Sequence, residues 1–179
     1  MCIRDRYALA AYRAPGQVRD LLLAKKITKF LGSLNDVPER EREEFVKELD
    51  EKPGHHREVG EHLLLTIDRL DNMGKPELVA GVFRAHIAGK ITWQQFQEVA
   101  VVIDRCVVSD LTHVRAATAP TKFPPPVATR LSGCGVIEID SVPMARGPGA
   151  SNEYLLTELG QLLVSLGLSQ AAAQVTGAA

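Results

Sequence analysis

The chain has 179 residues, 24% of them charged and 45% hydrophobic, with a formal net charge of -1; that balance belongs to a folded chain, excludes disorder for its bulk and sets one domain as the default. Three cysteines are too few for a disulfide scaffold of this length, and no run of about 18 apolar residues is present to span a bilayer. Near-neutral charge also argues against a dedicated nucleic-acid binder, whose phosphate contacts come from clustered Lys and Arg.

Met1-Cys2-Ile3-Arg4-Asp5-Arg6 reads as the translation of a transposase end used in sequencing libraries, ATG-TGT-ATA-AGA-GAC-AGR, a scar to be set aside from fold reasoning. A genuine basic N-terminus is the other reading. On the scar reading Cys106 and Cys134 are the cysteines that remain, and a signal or membrane anchor encoded upstream would be missing. Residues 1–16 are accordingly read as scar and flexible start.

From Gln17 to Leu34 the residues Val18, Leu21, Leu22, Ile27, Phe30, Leu31 and Leu34 recur at helical spacing. Lys25, Lys26 and Lys29 sit away from that stripe, as a solvated face or a membrane-surface face; three lysines are few for the latter. Asp36 can cap the next helix, with Pro38 in its first turn and Glu39 three residues on. That segment, Glu39 to Glu51, offers Phe45, Val46 and Leu49 to a core and reads as an outer helix. After a turn at 52–56, a third helix over about Arg57 to Met73 turns Val59, Leu63, Leu64, Ile67 and Leu70 inward, with Gly74 a left-handed stop. Pro76 starts a fourth, Glu77 to Ala88, through Leu78, Val79, Val82, Phe83 and Ile87, ended by Gly89.

Thr92 and Gln95 form a capping box. The helix they open meets neither Gly nor Pro before Pro120, which makes it the longest expected, with Phe96, Val99, Ile103, Val107, Leu111 and Val114 as its stripe. Amphipathic helices joined by short connections over 17–118 describe an antiparallel bundle or array. Residues 119–126, with four prolines, form a linker. Beyond it come a short helix at 127–131, a β-type run at 136–139, a loop at 146–149, a second strand at 153–156 and a helix capped by Thr157 carrying Leu159, Leu162, Leu163 and Leu166. Residues 169–179 are read as a disordered tail. The expected fold is mainly α, an antiparallel helical bundle or array followed by a small α+β end over 127–168.

Little chemistry is assembled along this frame. His55, His56 and His62 invite a metal, but no His-Glu-x-x-His occurs and no paired Glu-x-x-His, and one Asp110/His113 face is a common surface accident. Asp68, Asp71 and Asp104 could converge as carboxylates for acid–base work, against the plainer reading of solvated helix faces beside Arg69 and Arg105. Cys106 lies in the apolar stretch 101–108 and reads as an inert buried thiol; Cys134, between two glycines, reads as exposed. Phe123-Pro124-Pro125-Pro126 is similar to proline-rich ligands, although a linker explains the same letters. With no phosphate loop, nucleophile elbow or Cys-x-x-Cys, the chain reads as non-enzymatic, with no catalytic, cofactor or metal residues assigned.

Leu131-Ser132-Gly133-Cys134-Gly135-Val136-Ile137 and Tyr154-Leu155-Leu156-Thr157-Glu158-Leu159-Gly160 resemble the second half of a winged-helix domain, in which a helix precedes a hairpin wing and a capped helix closes the fold. The resemblance implies a DNA-contacting helix and wing; the cations available for that role are Arg115, Lys122, Arg130 and Arg146. From Cys134 onward Arg146 stands alone against Glu138, Asp140, Glu153 and Glu158, a surface that repels phosphate. The helical part, through Lys25 to Leu31, Glu41 to Phe45, Leu63 to Pro76 and Gly89 to Ile91, resembles an uncharacterised bacterial family from phage and mobile-element neighbourhoods. That implies a role in host defence, superinfection exclusion or mobile-element maintenance and carries no catalytic residues across; an apolar start common in the family would bring membrane association. The leading expectation is a cytoplasmic helical protein that binds another protein. A winged-helix transcription regulator and an exclusion factor whose membrane anchor is missing are the alternatives.

Overall fold

Helix-forming residues dominate the chain, and the computed structural model is mainly helical with a small two-stranded antiparallel sheet near the C-terminus. It describes residues 3–51, 54–114, 120–140, 152–168 and 171, with side chains from residue 17 onward, His55 excepted. The elements are α1 (Ile3–Gly32), α2 (Glu39–Asp50), α3 (His55–Arg69), α4 (Lys75–Ile87), α5 (Trp93–Arg105), α6 (Val108–Leu111), α7 (Pro125–Gly133), β1 (Ile137–Ile139), β2 (Tyr154–Leu156) and α8 (Glu158–Ser165).

α1 begins at Ile3, so residues 3–16, expected to lie outside the helical body as a flexible start, belong to its first helix. Ala8, Ala10, Ala11 and Ala14 supply the strongest helix-forming side chain there. α4 is the central element: it packs on α1, α2 and α5, and Leu78, Val79, Val82 and Phe83 are all buried. Around its C-terminal half the rings of Phe30, Phe45, Phe83, His86, Trp93 and Phe96 form one aromatic cluster, with Trp93 stacked on Phe96 at 5.0 Å. Such pairs add to the burial of their area. The His86 Nδ1–H donates to the Ile91 carbonyl at 3.1 Å and fixes the turn between α4 and α5.

Three local expectations are corrected. Gly74 is not left-handed (φ -89°); α3 ends because Leu70 turns extended, and the Asn72 side-chain oxygen accepts the Gly74 N–H at 2.7 Å. Leu64 and Val46 face solvent, since α3 and α2 are covered on one side. The helix opened by the Thr92 capping box, whose two bonds are both made at 3.1 and 2.9 Å, is not the longest. It stops at Arg105, where Cys106 and Val107 take extended backbone before α6. Breaking there buries Cys106, Val108 and Leu111 and leaves Val107 exposed, where an unbroken helix would have used Val107.

The proline segment is tied down where it is described. Thr121 exchanges two backbone hydrogen bonds of 2.9 Å with Tyr154, and Phe123 meets the Tyr154 ring edge-on at 6.0 Å. β1 pairs with β2 in the register Ile137 with Leu156 and Ile139 with Tyr154. Leu131, Val136, Ile137 and Leu163 of this end share one apolar core with α4 and α5, so the lobe is docked on the helical body.

Thr157 closes the hairpin. Its N–H donates to the Val136 carbonyl at 3.1 Å, its hydroxyl donates to the Gly135 carbonyl at 2.7 Å, and its oxygen accepts the Gly160 N–H at 3.1 Å. α8 thereby comes so close to β1 that a Cβ on Gly160 would stand 2.2 Å from the Val136 carbonyl oxygen. Gly60, exposed within α3, has nothing within 4 Å of its Cβ direction. Gly160→Ala is therefore expected to lower unfolding stability by about 2–3 kcal/mol, and Gly60→Ala to raise it by about 0.5–1 kcal/mol, measured by urea denaturation; equal effects at the two positions would contradict the packing described.

Candidate functional site

The lobe meets the helical body through a charged clamp. Asp110 of α6 is buried, and Arg130 of α7 forks onto it, Nε to Oδ2 at 2.5 Å and Nη2 to Oδ1 at 2.8 Å. Two parallel charge-assisted bonds fix direction as well as distance. The pairing holds the Arg130 guanidinium still more firmly protonated than usual. Four residues before Asp110 stands Cys106, buried, and four after Arg130 stands Cys134, half-buried against the same apolar core.

A cleft of about 700 Å³ lies between the start of α5 and the lobe. Its charged lining is Glu98, Glu138 and Glu158, joined by Gln95, Gln161 and Thr157. The cleft is acidic, as the sequence implied for this end, and among the described residues no cation lines it.

The nucleic-acid candidates are placed differently from one another. Lys122 is exposed beside the lobe. Arg130 is half-exposed but committed to Asp110. Arg115 and Arg146 lie outside the described residues, as does the loop at 146–149.

Asp68, Asp71 and Asp104 do gather at the junction of α1, α3, α4 and α5, each with a cation. Arg19 Nη2 lies 2.6 Å from the Asp68 carboxylate, while Lys26 Nζ donates to the Asp68 carbonyl at 2.9 Å. Arg69 stands 3.6 Å from the Asp104 carboxylate. Lys75, buried at the start of α4, donates to Asp71 Oδ1 at 2.6 Å and to the Asp104 carbonyl at 2.7 Å. The Lys75 hydrogen bond holds the Asp71 carboxyl below the usual carboxylate range. This is a set of ion pairs that join helices, with no carboxylate pair sharing a proton.

His56 and His62 each have a different neighbour. His56 Nδ1 lies 3.1 Å from Asp50, and His62 lies edge-on to Trp93 at 5.2 Å. Among the described residues no group of three or more His, Cys, Asp and Glu is arranged to hold a metal ion, and no helix is long and apolar enough to cross a membrane.

The sequence did not reveal buried Lys75 or the Asp110–Arg130 fork. The fork joins residues 20 apart, and no local pattern around Asp110 or Arg130 announces that pairing. No family model, curated protein or solved structure matches the chain.

Burial of the His62 ring disfavours its imidazolium, Arg69 adds to that, and Glu58 opposes both, so its pKa lies below the ordinary 6.5. The unfolded chain then binds more protons than the folded one in the window beneath 6.5. The stability contributed by His62 is thus present above that value and lost as pH falls through the window. His62→Phe, which keeps a ring edge on Trp93, is expected to flatten the decline in urea midpoint between about pH 7.5 and 5.5; an unchanged slope would contradict this assignment.

Proposed function

We propose that the protein is a non-enzymatic helical interaction protein that acts by binding another protein, in the host-defence, superinfection-exclusion or mobile-element setting implied by the resemblance of its helical part. The observation that carries this reading is an apolar ridge on neighbouring helices. Val18, Leu21 and Leu22 of α1 and Leu64 and Leu65 of α3 are all exposed, between 43% and 64%. α1 and α3 are in contact. Leu22 stands within one turn of both Arg19 and Lys26, the residues that reach Asp68, and Leu64 and Leu65 stand within one turn of Asp68 itself. The side chains therefore flank one seam. Large exposed apolar side chains clustered this way mark interaction surfaces in folded proteins, and the rim of Arg19, Lys25 and Asp68 gives the partner a charged register.

A photo-crosslinking side chain placed at Leu22 or at Leu65 in the full chain tests it, with Glu43 on the outer face of α2 as control. In extract of the host cells the first two positions are expected to link to the same protein, Glu43 not to, and Leu21→Glu to remove the product. The same products from all three positions would overturn the reading.

A second reading, a winged-helix DNA binder, is favoured by the order of helix α7, antiparallel hairpin and capped helix α8. The commitment of Arg130 to Asp110 and the acidic cleft count against it. Salt-sensitive retention of duplex DNA by the purified chain would establish it in place of the first.

A further inference from the structure

We propose that the apolar ridge of α1 and α3 is self-complementary and closes against a second copy of this chain in a two-fold symmetric dimer; the proposal rests on the reading of that ridge as a protein-binding surface and names the protein that binds it. Val18, Leu21 and Leu22 of α1 and Leu64 and Leu65 of α3 are exposed. One charge continues each patch on its own helix face. Lys25 follows Leu22 by three residues and Leu21 by four, and Glu61 precedes Leu64 by three and Leu65 by four; side chains so spaced are surface neighbours on a helix. The two charges are opposite in sign and stand at opposite ends of their patches. Both are exposed. Lys25 makes no ion pair among the described residues. Glu61 is paired with Arg57 at 2.9 Å, one turn earlier on the same helix and on its exposed side, where water weakens the bond.

Those spacings match when α1 of one copy lies antiparallel on α3 of the other. Leu21 and Leu22 then stand over Leu64 and Leu65 of the partner subunit, and three residues on, about 4.5 Å along both axes, Lys25 stands over Glu61 of the partner subunit. Because α1 and α3 are neighbours within one chain, a two-fold operation makes this contact twice, which is the condition for an isologous interface. Charge selects the occupant. From residue 17 onward α1 carries Arg19, Lys25, Lys26 and Lys29 against Asp20, whereas α3 carries Glu58, Glu61 and Asp68 against Arg57 and Arg69. A partner of one sign throughout would be repelled by one of the two helices, and an anionic lipid surface by α3. A second copy brings an acidic helix to the basic one and a basic helix to the acidic one, and it takes both apolar patches out of water together.

The test is light scattering on the purified full chain, under reducing conditions and across a dilution series. The concentrated chain is expected to show twice the 19.5 kDa mass of one copy, and Leu21→Glu to raise the dimer Kd roughly tenfold or more. Lys25→Glu and Glu61→Lys each set like charges against one another at both contacts, so either variant alone is expected to be monomeric where the parent is dimeric. Mixed in equal amounts, each variant supplies the charge the other has lost, and the dimer is expected to return. A parent chain that keeps the mass of one copy throughout the series would overturn the proposal. So would a dimer that survives Leu21→Glu unchanged, or a mixture of the two charge variants that stays monomeric. A monomeric chain that still crosslinks through Leu22 and Leu65 to a host protein would remove the second copy and leave the broader reading of the ridge standing.

Discussion

A lysine ammonium withdrawn from water organises this molecule. Lys75 is 2% exposed, and an ammonium so placed costs several kcal/mol in lost hydration unless it is paired and hydrogen-bonded. The protein meets that cost with the Asp71 carboxylate and the Asp104 carbonyl, at 2.6 and 2.7 Å. The carbonyl belongs to the last turn of α5, where the helix dipole favours positive charge. One side chain at the start of α4 thus ties together the residues that follow α3 and the end of α5. It also receives the charge network in which Arg19, Lys26 and Arg69 bring α1 and α3 to the same junction.

The architecture downstream follows from how α5 ends. A continuing helix would offer the Asp104 carbonyl the Val108 N–H; Lys75 occupies it instead, and the chain turns extended at Cys106 and Val107. That break presents Asp110 to Arg130, and through this fork and the shared apolar core the lobe docks. Gly160 completes the lobe by letting α8 approach the Val136 carbonyl closer than any side chain would permit. The same fork leaves Arg130 half-exposed but with its guanidinium already paired to a carboxylate.

Much of the fold was legible because amphipathic periodicity and capping are local signals. Thr92, Thr157, Gly89 and the stripes of α4 were readable from their neighbours, and so was the hairpin of Ile137 to Ile139 with Tyr154 to Leu156. What escaped was decided at a distance. The end of α5 depends on an ammonium 29 residues earlier in the chain, and no propensity of Cys106 or Val107 announces it. The exposure of Leu64 follows from what α3 lacks as a neighbour, and no residue beside Lys75 in the chain marks it as buried. Of the candidate site, the acidity of the lobe was visible in Glu138 and Glu158, whereas the fork of Arg130 onto Asp110 depends on how two distant segments pack.

Urea unfolding of Lys75→Met at neutral pH tests the central claim most directly, because Met fills nearly the same volume without the charge. If the ammonium holds the junction, the variant loses about 2–3 kcal/mol, since the Asp104 carbonyl and the Asp71 carboxylate forfeit their shared donor, and amide exchange quickens at the end of α5 and through α6. A variant as stable as the parent, with unchanged exchange there, would show that apolar packing alone fixes the helices and that Lys75 is merely accommodated.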